Sequence, residues 1–155
     1  MTTHEIKLKV NGEEHVLQVS PDRRLLDVLR EDLGLVSVRE GCGIGMCGTC
    51  TVLADGKAIS ACLMLASQAQ GVEITTIEGI SKNGKLHPVQ EAFIEHSAFQ
   101  CAYCTPGFIL STIALLNEHP DPDEETIREY LVGNLCRCGS YVNILEAVKG
   151  LARSL

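Results

Sequence analysis

Several features that would assign a protein to a common class are missing from this sequence of 155 residues. No apolar run approaches the roughly 20 residues that a membrane-spanning helix needs. Basic residues are few: 13 Lys and Arg face 20 Asp and Glu, a net charge of −7, so no nucleic-acid-binding surface is expected. The first ten residues alternate polar and apolar and contain no signal-peptide pattern, which predicts a cytoplasmic protein.

Residue patterns typical of acid–base or nucleophilic catalysis are also missing. The histidines are dispersed, and none has a partner carboxylate at a useful spacing; they are His4, His15, His87, His96 and His119. The acidic residues around Asp123 have the pattern of helix capping and of charges that complement a helix dipole. We therefore expect no catalytic residue in this chain.

The first half of the sequence predicts a small mixed sheet crossed by one helix. Alternating residues predict strands over 5–10 and 15–19, joined by a tight turn at Asn11-Gly12. Leucines at helical spacing predict a helix over 23–33 that ends at Gly34. Further strands are expected over 51–54, 58–62 and 72–77, with a turn at Asp55-Gly56 between the first two.

The second half predicts helices only. We expect them over 87–97, with Val89, Phe93 and Ile94 facing inward, and over 107–117, 123–131 and from Ser140 to the end, where an apolar stripe runs to Leu155. Thr105-Pro106, Asp123 and Ser140 are the expected cap positions. The polar segment 79–86 is expected to link a first unit, residues 1–78, to a second, residues 87–155.

Cysteine is the abundant feature. The eight cysteines are Cys42, Cys47, Cys50, Cys62, Cys101, Cys104, Cys136 and Cys138. An even number is compatible with disulfides, but dense disulfides belong to short secreted chains, and clustered thiols in a reducing compartment are typical metal ligands. Iron–sulfur clusters, zinc and disulfides are the three alternatives, in that order of preference.

The first four cysteines are spaced C-x4-C-x2-C-x11-C, and this opening is the plant-type spacing for a [2Fe–2S] cluster. Gly41, Gly43, Gly45 and Gly48 allow the loop to turn sharply and let backbone amides approach sulfur. Such amides stabilise the net −2 charge of an oxidised cluster with four thiolates. A single zinc site would use two short Cys-x2-4-Cys elements; Cys47 and Cys50 could form one, but Cys42 and Cys62 do not form the second.

The last four cysteines are spaced C-x2-C-x31-C-x-C, a weaker signal because two cysteine pairs also suit zinc. Both pairs directly precede predicted helix starts. Helix N-termini offer free N–H groups and partial positive charge, which favour an anionic cluster. We infer a second [2Fe–2S] site here.

Three segments that contain these cysteines, EGCGIGMCGTCTVL, FQCAYCTPGFI and GNLCRCGSYVNI, closely resemble the iron–sulfur subunit of the molybdenum hydroxylases. The resemblance covers essentially the whole chain. It implies an α+β fold, in which an N-terminal β-grasp, ferredoxin-like [2Fe–2S] domain precedes an all-α four-helix-bundle [2Fe–2S] domain. It also implies that the clusters are ligated by Cys42, Cys47, Cys50 and Cys62, and by Cys101, Cys104, Cys136 and Cys138.

The resemblance further implies the partners and the function. The helical cluster is expected beside a molybdopterin cofactor on a large subunit, with Gln100 hydrogen-bonded to the pterin and Cys138 nearest to it. The other cluster is expected nearer the FAD of a medium subunit, in a heterotrimer or its dimer. The implied function is the relay of single electrons between these cofactors within an oxidoreductase. A free-standing two-cluster carrier and a zinc-binding interaction module are the alternatives.

Some positions depart from the family pattern or have two interpretations. The family commonly has glycine where Ala102 stands, and Thr-Gly where Gly139-Ser140 stands; none of these is a ligand. Arg137, between two cysteines, is equally compatible with neutralising cluster charge and with contacting a partner. Met46 is expected to pack within the first cysteine loop.

Overall fold

The computed structural model of the chain describes residues 3–152, with the side chains of residues 3–151. Five strands form one mixed sheet: β1 (His4–Val10), β2 (Glu13–Val19), β3 (Thr51–Ala54), β4 (Lys57–Ser60) and β5 (Glu73–Thr75). Their order is β2-β1-β5-β3-β4, with β1 parallel to β5 and the other neighbours antiparallel. The sheet and its strands follow the predicted pattern.

Tight turns fix the two hairpins of the sheet. Asn11 and Gly12, between β1 and β2, have φ of 53° and 85°, and Asp55 and Gly56, between β3 and β4, have 47° and 81°. Positive φ at both central residues is the turn whose twist matches that of antiparallel strands. Both predicted hairpin turns are therefore confirmed.

The helix predicted over 23–33 is shorter and partly of another type. It consists of α1 (Leu25–Asp27) followed by a π-helical turn (Val28–Asp32), which the Leu33 amide closes by donating to the Val28 carbonyl at 3.1 Å. Four of its apolar side chains are fully buried against the sheet: Leu25, Leu26, Val28 and Leu29. Gly34 has φ of +69°, as expected of the residue that ends the helix.

Helices make up the second half of the described chain: α2 (Pro88–Glu95), α3 (Thr105–Glu118), α4 (Glu124–Tyr130) and α5 (Tyr141–Ala152). Shorter 3₁₀ turns occur at Ala66–Ala69, Ile77–Gly79 and Leu131–Gly133. The Asp123 carboxylate accepts from the Thr126 amide at 2.8 Å, so the predicted cap of α4 is confirmed. The predicted apolar stripe of α5 is buried at Ile144, Leu145, Val148 and Leu151, whereas Leu155 lies outside the described residues.

Three details of the helical half correct the sequence-based expectation. Ile94 is 54% exposed, because Val89, Ala92 and Phe93 form the buried stripe of α2 and Ile94 follows about 100° further round the helix. α3 begins at Thr105, which leaves Cys104 at the cap position. The Ser140 hydroxyl is buried and has no hydrogen-bond partner among the described residues, so it does not cap α5.

The two halves share packing contacts. Leu53 of β3 and Ile80, within the expected linker, belong to the same buried cluster as the helices. A second buried cluster lies between the sheet and α1. In residues 3–152 the structure contains no helix long and apolar enough to cross a membrane.

Candidate metal centres

The loop that carries the first thiols connects the π-helical turn to β3. Gly43, Gly45 and Gly48 have φ between 66° and 77°, and Gly41 is not among the residues with positive φ. A Cβ on Gly41 would instead lie 2.8 Å from Cys47 Sγ, and one on Gly45 would overlap the Leu63 side chain. The glycines therefore serve both to turn the loop and to leave room around the sulfur atoms.

Backbone amides of this loop point at sulfur. The Met46 and Ile44 amides donate to Cys42 Sγ at 3.3 and 3.5 Å. The Ile44 amide is the main cause that lowers the pKa of Cys42 to about 7. The Met46 side chain is 64% exposed, so the expectation that it packs within the loop was wrong; its amide is the part that acts on sulfur.

The first four thiols are arranged as two pairs. The Cys47 thiol acts to lower the pKa of Cys42, and the Cys62 thiol acts to raise the pKa of Cys50. Cys47 also acts electrostatically on Cys50, which links the two pairs. Burial is the main cause that raises the pKa of Cys50 to about 12. The Cys62 thiol adds to this rise, and the Cys62 backbone amide opposes it. A thiol with so high a pKa loses its proton when a metal ion takes the proton's place.

The second four thiols lie in two turns, one before α3 and one before α5. The Cys138 thiol acts to lower the pKa of Cys101, and the Cys136 thiol acts to raise the pKa of Cys104. Cys101 and Cys104 also interact electrostatically, so all four belong to one group. Each turn thus contributes one thiol to each pair.

The electrostatics of this second group repeat those of the first. The Tyr103 amide is the main cause that lowers the pKa of the exposed Cys101. Burial and the Cys136 thiol raise the pKa of Cys104 to about 12. For Cys136, burial acts to raise the pKa, but the Ser140 amide, which donates to Sγ at 3.4 Å, lowers it overall. Each group therefore combines a thiol that is readily ionised with one that is not, the buried Cys50 in the first group and the half-buried Cys104 in the second.

The donor set fits the chemistry of iron–sulfur clusters. All eight cysteines have free thiols, and backbone amides donate hydrogen bonds to the sulfur atoms of Cys42 and Cys136. Thiolates are the usual ligands of such clusters, and hydrogen bonds to sulfur set their potentials. Among residues 3–152, no three His, Cys, Asp or Glu side chains converge closely enough to hold one metal ion.

The two cysteine loops touch each other. The Leu135 amide, next to Cys136, donates to the Cys47 carbonyl at 2.9 Å. The buried Asn134 side chain donates from Nδ2 to the Gly48 carbonyl at 3.3 Å. Both contacts join residues more than 80 positions apart, and neither had a sequence signal.

A second set of contacts between the loops was also missed. Arg39 Nη1 donates to the Ala102 carbonyl at 2.5 Å, and its guanidinium lies 5.2 Å from the centroid of the Tyr103 ring. The Tyr103 hydroxyl donates to the Glu40 carbonyl at 2.8 Å. Two features of the sequence could have indicated these contacts: Arg39 is a cation close to the first cysteine motif, and Tyr103 is an aromatic residue inside the second.

The residues expected near a pterin lie together at the surface. The exposed Gln100 side chain donates from Nε2 to the Cys138 carbonyl at 3.1 Å. Arg137 is exposed beside them. Ala102 has φ of +59°, a conformation that glycine adopts more easily than alanine.

Comparisons with known proteins agree with this geometry. Residues 8–74 match the family model described as a 2Fe-2S iron-sulfur cluster binding domain, and residues 76–149 match the one described as a [2Fe-2S] binding domain. The nicotinate dehydrogenase small FeS subunit of Eubacterium barkeri is 49% identical over 144 residues, 93% of this chain and 92% of that protein.

Solved structures extend the likeness to the whole fold. Quinoline 2-oxidoreductase from Pseudomonas putida matches with a TM-score of 0.93 at 41% identity, over 97% of this chain and 93% of that one. The aldehyde oxidoreductase of Desulfovibrio desulfuricans matches with a TM-score of 0.91 at 46% identity, over 97% of this chain but 17% of that much longer one. The chain carries two [2Fe–2S]-binding domains and belongs to the small iron–sulfur subunits of the molybdenum hydroxylase family of oxidoreductases.

Proposed function

We propose that this chain relays single electrons between a molybdopterin centre on a large subunit and FAD or another acceptor on a further subunit. A [2Fe–2S] cluster, when bound, accepts and releases one electron at a time. The observation that carries the proposal is the presence of two groups of four free thiols, with backbone amides that donate to the sulfur atoms of Cys42 and Cys136. Each iron of a two-iron cluster takes two thiolates, so four thiols suit one cluster. A single zinc ion would need all four thiols of a group at one centre.

The proposed ligands are Cys42 with Cys47 and Cys50 with Cys62 in the first site, and Cys101 with Cys138 and Cys104 with Cys136 in the second. The electrostatic interactions between the thiols of each pair support this assignment. The glycine loop around Gly43, Gly45 and Gly48 would leave space for the first cluster and direct amides at its thiolates. These amides would stabilise the extra negative charge that reduction adds.

The hydrogen bond from Leu135 to Cys47 supports a direct relay between the sites. Cys47 is a proposed ligand of the first site, and Leu135 directly precedes Cys136, a proposed ligand of the second. A single hydrogen bond therefore connects the backbones of the two ligand groups. Gln100 and Cys138, which are in contact at the surface, are the proposed neighbours of the pterin. Electrons from the substrate would enter the chain there and leave from the first site.

We propose that the chain functions within an assembly, a heterotrimer or its dimer, and not as a free carrier. Large apolar side chains are exposed beside both ligand groups: Ile44, Met46 and Leu63 near the first, and Tyr103, Leu135 and Tyr141 near the second. Exposed apolar surface of this kind is typical of interaction sites. The match to 17% of a longer oxidoreductase chain also supports assembly, because there the equivalent segment is joined to the rest of the protein.

We also propose the division into a ferredoxin-like unit of residues 1–78, a linker of residues 79–86 and a helical unit of residues 87–155 in which the four helices form a bundle around the second cluster. The boundary between the matched family models, which lies between residues 74 and 76, supports a division close to this point. The burial of Ile80 indicates that the linker packs against the helices instead of lying free in solvent.

Iron and acid-labile sulfide analysis of the native complex, combined with EPR spectroscopy, tests the proposal. We expect about four irons and four sulfides per chain, and two distinguishable signals after reduction. Cys50→Ser and Cys104→Ser form a matched pair, because each removes from one group the thiol whose pKa is raised. Each variant should lose one signal and keep the other.

Two results would contradict the relay. A single signal of one spin per chain would exclude two clusters, and colourless protein containing zinc would exclude clusters altogether. Size-exclusion chromatography tests the assembly separately: we expect co-elution with molybdenum and flavin, whereas a brown monomer near 16.8 kDa would support the free carrier.

A further inference from the structure

Arg39 reaches from the first half of the chain to the turn that holds two thiols of the second group. This turn, 101–104, contains Cys101 and Cys104 at its ends. Arg39 Nη1 donates to the Ala102 carbonyl inside the turn at 2.5 Å, and its guanidinium lies over the Tyr103 ring at 5.2 Å. One partly buried side chain therefore contacts both residues between the two thiols.

The backbone at this turn requires support. Ala102 has φ of +59°, a left-handed conformation that is strained for an L-residue other than glycine. A strained conformation persists only where surrounding contacts favour it. The hydrogen bond from Arg39 to the Ala102 carbonyl is such a contact, and the bond from the Tyr103 hydroxyl to the Glu40 carbonyl anchors the following residue to the same segment.

Arg39 brings a positively charged guanidinium to this turn. A cluster with four thiolates gains one negative charge on reduction, and a nearby cation stabilises the more negative state. The effect is stronger where the cation is partly shielded from water, as Arg39 is.

We infer that Arg39 is a positioning residue for the second cluster: it fixes the turn that carries Cys101 and Cys104 and raises the reduction potential of the cluster bound there. This inference rests on the proposed function, since it requires a cluster on the second thiol group. It assigns to the ferredoxin-like half of the chain a direct influence on the cluster of the helical half.

The test is an EPR-monitored redox titration of the native complex that carries Arg39→Gln. We expect the ratio of reduced to oxidised second cluster at a fixed potential to fall by about three- to tenfold; tenfold corresponds to 59 mV for one electron. The line shape of the second signal should also change. The signals are assigned with the Cys50→Ser and Cys104→Ser variants.

Arg30→Gln is the matched control. Arg30 is also partly buried and also donates to backbone carbonyls, those of Val36 and Val38, at 3.0 and 2.7 Å, but both lie within its own half. Its removal should leave the line shape of the second signal unchanged and shift its potential less than Arg39→Gln does. Equal shifts of the second cluster in both variants would overturn the inference, because they would show a general effect of net charge.

Arg39→Lys separates position from charge. Lysine keeps the positive charge but lacks the planar guanidinium that donates to one residue and covers the ring of the next. We expect the potential to recover in part while the altered line shape remains. Complete recovery of both would overturn the positioning role.

Tyr103→Phe provides a second route if Arg39→Gln does not assemble. It keeps the ring under the guanidinium and removes the bond to the Glu40 carbonyl, so the line shape of the second signal should change with little change in its potential. An unchanged line shape would contradict the role of these contacts in fixing the turn.

Failure of the proposed function can be distinguished from failure of the inference about Arg39. If the wild-type complex gives no second signal, the proposed function fails. If it gives both signals and Arg39→Gln alters neither, only the inference about Arg39 fails.

Discussion

Gly107, in the first turn of α3, lies directly against the carbonyl oxygen of Gly48 in the first cysteine loop. A Cβ on Gly107 would overlap this oxygen and would come within 3.4 Å of Asn134 Nδ2. The same carbonyl accepts hydrogen bonds from Asn134 and from the Thr51 hydroxyl. At this point the two halves of the chain are therefore in contact through their backbones, which only glycine permits.

Gly107→Ala should destabilise the protein. Alanine normally stabilises a helix relative to glycine by about 0.5–1 kcal/mol. Here we expect alanine to lower the free energy of unfolding by about 1–3 kcal/mol, because the added methyl group must push the two halves apart. Thermal unfolding of the subunit, followed by circular dichroism, measures the change.

Gly133→Ala is the control for this prediction. Gly133 lies in the same half, and a Cβ there would meet nothing within 4 Å. It should change stability by less than about 0.5 kcal/mol. If Gly107→Ala were as stable as Gly133→Ala, the close approach of the backbones would be contradicted.

Asn134→Ala should also weaken the junction between the two halves. Asn134 is 5% exposed, and its amide group donates to the Gly48 carbonyl at 3.3 Å. Its loss removes a buried hydrogen bond and leaves a small void, which together cost about 1–3 kcal/mol. The Thr51 hydroxyl still satisfies the carbonyl, so the protein should remain folded.

Asn143→Ala removes a comparable hydrogen bond at the surface. The exposed Asn143 donates from Nδ2 to the His96 carbonyl at 2.9 Å, within the helical half. Because water can replace Asn143 as the donor to this carbonyl at the surface, we expect the free energy of unfolding to fall by less than about 0.5 kcal/mol. Urea unfolding of both variants gives the comparison, and equal losses would argue against a special role for the junction.

The sequence predicted those parts of the molecule that local patterns determine. Alternation located the strands, Asn11-Gly12 and Asp55-Gly56 located the hairpin turns, and cysteine spacing separated the thiols into two groups. These features depend on residues close to one another in the sequence. The expected assignment of ligands remains a prediction, which the electrostatic interactions between the thiols of each pair support.

The features that were missed depend on distant segments. Arg39 and Ala102 are separated by 63 positions, and Asn134 and Gly48 by 86, and no periodicity indicates that such residues meet. Ile94 was expected to face inward because the composition of α2 alone does not tell which side its neighbours cover. It is exposed because α3 and α5 pack against the stripe formed by Val89, Ala92 and Phe93.

Ala102→Gly should stabilise the protein. Ala102 has φ of +59°, and glycine removes a cost of about 1–2 kcal/mol at this conformation. The greater freedom of glycine in the unfolded chain offsets about 0.5–1 kcal/mol of this gain, so the net gain should be about 0.5–1 kcal/mol.

Ala102→Val tests the same conformation in the opposite direction. A β-branched residue tolerates positive φ poorly, so this variant should be less stable than the wild type and should retain less iron. Thermal unfolding and iron analysis of both variants give the comparison. Should valine and glycine change stability in the same direction, the left-handed conformation at Ala102 would be refuted.

Glu78 makes the stability of the protein depend on pH. Partial burial acts to raise the pKa of Glu78, but hydrogen bonds from Ser37 and Thr76 more than offset it and lower the pKa. The Ser37 amide and hydroxyl donate to the carboxylate at 3.2 and 2.5 Å, and the Thr76 hydroxyl donates at 2.6 Å. Glu78 thereby ties the segment before the first cysteine loop to the end of the sheet.

The sign of the effect follows from the lowered pKa. The charged form is favoured in the folded protein, so the stabilisation is complete above the unfolded pKa of about 4.3 and is lost as the pH falls through the folded value. Glu78→Gln should reduce stability at pH 6 by a few tenths to about 1 kcal/mol, because solvent screens this partly exposed group. At lower pH the difference from the wild type should shrink.

Thermal unfolding of wild type and Glu78→Gln at pH 6 and at pH 3.5 measures this dependence. Glu129→Gln, which removes an exposed carboxylate from α4, corrects for the change in net charge. We expect the gap between wild type and Glu78→Gln to be wider at pH 6 than at pH 3.5, because protonation of Glu78 at the lower pH removes the charge that its partners stabilise. A gap that stays constant between the two pH values would show that the hydrogen bonds from Ser37 and Thr76 do not favour the charged carboxylate.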